Sequence, residues 1–158
     1  MKREFIVIHH SLTKDGVTVS WPAIERYHVR TQHWRDIGYH AGVELVGGPE
    51  LGEYAYQGLI GRPEDDFAAA CHEAHMNQIG LHLCLVGNFD LAPPPKEMLI
   101  RAAIRFIIPW MRRYNIPADH IIGHRDAGLM AGFDWKKGQY KSCPGSQFDL
   151  DVLRKMLA

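Results

Sequence analysis

The first apolar run of the chain, Phe5 to Ile8, is continuous rather than alternating and ends at His9-His10-Ser11. A short run of that kind, rich in β-branched residues, predicts a buried strand. A polar turn over 14–16 follows. Ser20 then stands where it can cap a helix with Pro22 in its first turn, and Ile24, Tyr27, His28 and Thr31 recur at helical spacing. Tyr39 to Val46 and Glu53 to Ile60 flank the glycine-rich stretch Gly47-Gly48-Pro49, the pattern of two antiparallel strands. Gly80 to Val86 reads as another strand. Beyond the prolines at 93–95, Leu99, Ala102, Ala103, Phe106, Ile107, Trp110 and Tyr114 recur at steps of three and four, which predicts a long helix with one face against a sheet. Pro109 inside that pattern predicts a kink. Ile121-Ile122 before Gly123-His124 reads as a short buried strand, Ala127 to Ser142 as a loop, and Asp149 to Leu157 as a C-terminal helix. Strands and helices interleave, so the expected fold is α/β, a single domain over residues 1–158 with a central mixed β-sheet flanked by helices.

Composition narrows the function classes. The 158 residues are 46% hydrophobic, enough for one globular core. Lys and Arg number 18 against 18 for Asp and Glu, a net charge of zero that excludes a dominant basic footprint for nucleic acid. The apolar run near the N-terminus is too short for a secretory signal, and no run approaches the roughly 20 residues of a membrane span. The expectation is a protein that is cytoplasmic as synthesised, with no membrane insertion. Three cysteines are an odd and sparse set, which argues for reduced thiols or a metal ligand over a disulfide scaffold.

The ten histidines carry the candidate chemistry. His9 and His124 each follow a predicted strand, where a rigid sheet can present a ligand. No His-Glu-x-x-His and no Cys-x-x-Cys is present, and spacing alone does not bring the two together. His10 competes with His9: neighbours on a strand point to opposite faces, and a run apolar on both faces cannot choose between them. Cys143 lies in Lys141-Ser142-Cys143-Pro144-Gly145, a turn-forming stretch where a thiolate near a lysine suits a metal ligand or a nucleophile. Cys71 and Cys84 read as small buried hydrophobes.

Six blocks in collinear order make the pattern specific: Ile6-Val-Ile-His-His-Ser11, Trp34-Arg-Asp-Ile-Gly-Tyr-His40, Ile79-Gly80, Val86-Gly-Asn-Phe-Asp90, Ile122-Gly-His-Arg-Asp126 and Cys143-Pro-Gly145. From about residue 5 to about residue 155 the chain resembles the type 2 N-acetylmuramoyl-L-alanine amidases, a family shared by bacteriophage endolysins, bacterial amidases and peptidoglycan recognition proteins. The resemblance implies one Zn²⁺ per chain held by His9, His124 and Cys143, and it selects His9 over His10. Two imidazoles and one thiolate leave such an ion with net positive charge and an open fourth position, the catalytic arrangement. The resemblance further implies that Tyr39 and Lys141 are catalytic. His72 and Asn77 are implied as substrate contacts, although the run Cys71 to Gly80 departs from the family pattern. Trp135 either stacks on a sugar or pins its own loop.

The implied reaction is zinc-dependent hydrolysis of the amide between N-acetylmuramic acid and L-alanine, with peptidoglycan or a muropeptide as partner and a monomer as the working unit. The proton for the leaving amine is left open among water, Lys141, His10 and His40. One alternative is a peptidoglycan-binding module without catalysis, which predicts a broken metal set. Another is a metal-free hydrolase with Cys143 as nucleophile and His124 as base.

Overall fold

Five strands form one sheet in the order β3-β2-β4-β1-β5. The structure is a computed structural model that describes residues 2–13, 20–48 and 53–158; the turns expected over 14–16 and at Pro49 lie outside the described residues. Strand β1 (Phe5–His10) runs parallel to both of its neighbours, β4 (Gly80–Leu85) and β5 (Ile121–Gly123). This central position explains why its apolar run does not alternate, since a strand covered on both faces needs no polar side. Strand β2 (Ala41–Gly48) pairs parallel with β4 and antiparallel with β3 (Glu53–Ile60), so the sheet is mixed. Both strands of this pair agree with the sequence pattern, β2 beginning two residues later than expected.

The two faces of the sheet carry different cargo. Ile6 and Ile8 of β1, Leu81, Leu83 and Leu85 of β4, and Ile121 of β5 point into the main core. Helices α3 (Lys96–Ala102) and α4 (Ile108–Tyr114) cover that core with Met98, Leu99, Ala102 and Trp110, the segment between them adds Phe106, and α6 (Leu150–Leu157) adds Leu150 and Leu153. Pro109, where a kink is expected, stands in the first turn of α4, directly after a π turn over Ala103–Ile107 that separates it from α3. Proline lacks the N–H that would bond four residues back and its ring crowds that carbonyl, and a widened turn relieves both. Val7 and Ile122 point the other way, into a smaller cluster with Cys71, Met76 and Ala127. Cys84 and Val86 meet Trp21, Ile24 and Ile37 on that side, where α1 (Trp21–Arg26) lies, continued by a π turn to Thr31.

Two short helices complete the second face. Helix α2 (Met76–Ile79) follows a 3₁₀ turn over Glu73–His75, in which Ala74 and His75 both adopt left-handed backbone at φ 52° and 61°. Helix α5 (His124–Met130) begins directly after β5, so residues 127–130, expected as loop, are helical. Gly123 supplies no capping side chain to announce it; instead the Asp126 carboxylate reaches back to accept from the Gly123 N–H at 2.7 Å.

Candidate metal centre

The cleft sits at the carboxyl ends of β1, β4 and β5, where open α/β sheets present their ligands. Period-two alternation settles the choice left open at His9-His10. His9 shares the face of Val7, while His10 shares the face of Ile8, where its Nδ1 accepts the Phe89 N–H at 3.1 Å. His124 is the first residue of α5, and Cys143 lies on the loop before α6. That loop is fixed from three sides. The Arg125 guanidinium donates to the carbonyls of Gly145 and Phe148, the Arg125 N–H donates to the Cys143 carbonyl, and Asp90 accepts from the Ser142 hydroxyl and the Ser146 N–H.

One nitrogen from each of His9 and His124 and the Cys143 sulfur lie within 4.8 Å of one another, and all three residues are buried. His9 Nδ1 is 3.8 Å from Cys143 Sγ. Tetrahedral zinc with ordinary Zn–S and Zn–N lengths separates its sulfur and nitrogen donors by roughly 3.6 Å. The donor set therefore fits zinc in both chemistry and spacing.

Electrostatics favour neutral donors. Burial first, then the neighbouring His124, His82 and Lys141, hold His9 well below its ordinary value. Burial and Lys141 lower His124 to about 4. Both imidazoles thus keep a lone pair at neutral pH. Burial pushes the Cys143 thiol up to about 12, against the opposing pull of a backbone hydrogen bond at His10 and of Lys141 and Arg125. A cation at this point reverses that balance, because a coordinating thiol is deprotonated outright.

The same cavity, of about 690 Å³, is also lined by Tyr39, Lys141, Ile24 and Trp34. The Tyr39 ring centroid is 5.1 Å from that of His9. Burial raises its phenol well above the ordinary value. Tyr39 and Lys141 therefore stand with the three candidate ligands. His72, Asn77 and Trp135 are not among the residues lining this cavity. The His72 side chain is exposed beside Glu73. The Asn77 carboxamide oxygen accepts the N–H groups of Ala70 and Cys71, both at 2.9 Å, and so pins the segment before α2. Trp135 lies against the Arg125 guanidinium, 4.6 Å from the ring centroid. His40 also stands apart, with Nδ1 accepting from His82 N–H and Nε2 donating to the Asp66 carbonyl.

Sequence reasoning missed three polar residues behind the ligands. His82 is fully buried in β4 with its Nδ1 2.8 Å from His9 Nε2. The Tyr140 hydroxyl is 2.9 Å from His124 Nε2, and Glu73 Oε2 lies 3.8 Å from the same nitrogen. His82 did carry a signal, a polar side chain in the otherwise apolar stretch Gly-Leu-His-Leu-Cys-Leu. Tyr140 and Glu73 carried none, since only the fold brings them to His124. Cys71, Glu73 and His124 also cluster within 4.8 Å, but His124 Nε2 is already engaged by Tyr140.

A family model described as N-acetylmuramoyl-L-alanine amidase matches residues 1–146. The chain belongs to that family. It is similar to peptidoglycan-recognition protein LB of Drosophila melanogaster, 27% identical over 128 residues, which is 77% of this chain and 50% of the relative. The chain thus spans about half the length of that relative. Among solved structures, N-acetylmuramoyl-L-alanine amidase LysC from Clostridium intestinale URNW has a TM-score of 0.72 at 21% identity, covering 99% of this chain and 86% of that one. A mutant of Drosophila peptidoglycan-recognition protein LB in complex with tracheal cytotoxin has a TM-score of 0.65 at 24% identity, covering 96% and 80%. These likenesses establish that amidases and recognition proteins of the family share this fold. Among the described residues, no helix is long and apolar enough to cross a membrane.

Proposed function

We propose that the protein is a zinc-dependent N-acetylmuramoyl-L-alanine amidase that hydrolyses the amide between the lactyl carboxyl of N-acetylmuramic acid and the L-alanine of the peptidoglycan stem peptide. The observation that carries this reading is the convergence of His9, His124 and Cys143 in the cleft, with His9 Nδ1 3.8 Å from Cys143 Sγ, close to the spacing of nitrogen and sulfur donors on tetrahedral zinc. Bound there, zinc supplies Lewis acidity, polarising a carbonyl and activating a water. The chain's own groups do the rest. Tyr39 keeps its proton across the working pH range and can donate it in a hydrogen bond to the oxyanion that forms from the scissile carbonyl. Lys141, which also lines the cavity, brings positive charge to the same developing negative charge. Preorganised donors of this kind contribute about 3 kcal/mol each. The apolar wall at Ile24 and Trp34 excludes water from one side of the substrate.

A metal-free cysteine hydrolase fits less well. An activated nucleophile needs a depressed thiol, whereas burial pushes Cys143 up to about 12. The test is zinc content of the purified protein paired with peptide release from purified peptidoglycan. The expected result is about one zinc per chain, cleavage lost to chelator and regained with zinc. Protein that binds peptidoglycan without cleaving it, zinc-loaded or not, would make the chain a binding module; cleavage insensitive to chelator and abolished by alkylation would restore the cysteine mechanism.

A further inference from the structure

Both candidate imidazole ligands use one nitrogen on a protein partner, and the partners dictate which nitrogen remains. We propose that His82 and the Tyr140–Glu73 pair are positioning residues that fix His9 and His124 as Nε2–H tautomers, leaving both Nδ1 lone pairs for the metal, and that the turn over Glu73–Met76 anchors both. The assignment rests on the zinc reading above.

The argument for His9 starts from an atom that can only accept. The Met76 carbonyl is 2.7 Å from His82 Nε2, so that nitrogen carries a hydrogen. A neutral imidazole protonated there has its lone pair on Nδ1. His82 Nδ1 is 2.8 Å from His9 Nε2, so His9 must donate and its hydrogen sits on Nε2. The lone pair of His9 is then on Nδ1, the nitrogen that faces Cys143 Sγ at 3.8 Å. Strand register makes the contact: Val7 pairs with His82 and His9 with Cys84, so the two histidines are diagonal neighbours on one face. The His82 backbone is itself held by its N–H bond to His40 Nδ1 at 3.0 Å.

His124 follows the same logic with different chemistry. The Glu73 carboxylate accepts only, and its Oε2 lies 3.8 Å from His124 Nε2, so a hydrogen on that nitrogen faces negative charge. The phenol oxygen, 2.9 Å from His124 Nε2, then accepts, with the His124 hydrogen on Nε2. Nδ1 is the nitrogen left for the group with His9 and Cys143. Gly128 of α5 makes room for this contact, since a Cβ there would lie 2.4 Å from the Tyr140 ring.

The two relays end three residues apart, at the Glu73 carboxylate and the Met76 carbonyl. Between them Ala74 and His75 are both left-handed, a conformation that costs non-glycine residues of their kind free energy and persists where surrounding contacts over-determine it. Here the two relays and the Asn77 bonds to Ala70 and Cys71 supply those contacts. One strained turn thus orients two ligands that come from opposite ends of the sequence.

The test reads tautomers and affinity, not turnover. Long-range ¹⁵N–¹H correlation on histidine-labelled, metal-free protein should show His9 and His124 already protonated on Nε2 and bare on Nδ1. Zinc affinity, by competition with a chromophoric chelator, should fall 10- to 100-fold in Tyr140→Phe, which removes a single oxygen. It should fall similarly in His82→Leu and recover in part in His82→Gln, which can both accept and donate. A hydrogen on Nδ1 of either ligand in the metal-free parent, or parental zinc affinity in a folded Tyr140→Phe, would overturn the assignment. A parent that takes up no zinc defeats the reading of the site instead, and the metal-free spectrum still decides the hydrogen-bond directions.

Discussion

Acid should weaken this fold through His40, and the size of the effect follows from its surroundings. His40 is buried, its Nε2 donates to the Asp66 carbonyl and its Nδ1 accepts the His82 N–H. A second proton has no place to go without breaking the latter bond. Burial is the main cause that lowers its pKa from 6.5 to about 4, with Arg3 and Arg62 adding to it and the Asp66 carbonyl and Glu64 opposing it. As pH falls the unfolded chain therefore binds a proton that the folded chain refuses. Stability is undiminished above the unfolded pKa, declines between 6.5 and about 4, and levels off below. Linkage over pH 7 to pH 5 gives about 2 kcal/mol from this residue. Burial lowers His9, His10, His28, His82 and His124 as well, so the parent's total loss is larger and the single contribution must be isolated by subtraction. Urea unfolding of metal-free parent and His40→Gln at pH 7 and pH 5 does so. The variant should start less stable at pH 7 and lose about 2 kcal/mol less on acidification, roughly 1 M in midpoint. Equal acid losses in the two proteins would refute the argument.

Three further outcomes test the cleft and the fold. Tyr39→Phe and Lys141→Ala should each lower peptide release about 100-fold, the scale of one oxyanion donor, with zinc content by elemental analysis unchanged. Gly42→Ala places a Cβ 2.2 Å from Trp21 Cζ3 and should cost about 1–3 kcal/mol in denaturant unfolding by forcing α1 off the sheet. Arg125→Met removes the donors to Gly145 and Phe148 that hold the Cys143 loop; zinc affinity measured by chelator competition should weaken while the far-ultraviolet spectrum stays parental.

The sheet was legible because its central strands announce themselves. Phe5 to Ile8 is apolar on both faces, and Leu81 to Leu85 is so except at His82, which is what a strand between parallel neighbours requires. The same property hid the choice between His9 and His10, which depends on which face Val7 takes once the sheet has formed. Helix α5 was missed because glycine precedes it and its seven residues are too few to establish a period. Asn77 looked like a substrate contact from its motif, yet in the structure its oxygen is consumed by two backbone N–H groups. Tyr140 and Glu73 are far apart in sequence and without a local pattern, so their meeting at His124 is a product of tertiary packing alone.

The central place of β1 also governs when the cleft can come into being. Its register joins Ile6 to Leu81 on one side and to Ile121 on the other. During synthesis β1 therefore leaves the ribosome well before either strand it pairs with. Until Gly123 has emerged, one edge of β1 is unpaired, and until Cys143 has emerged, His9 lacks the thiol it faces. Pairings this distant slow folding and leave an apolar strand open to wrong neighbours in the interval. A chain that stops before Cys143 therefore lacks one of the three groups that converge in the cleft, however well its first strands have paired.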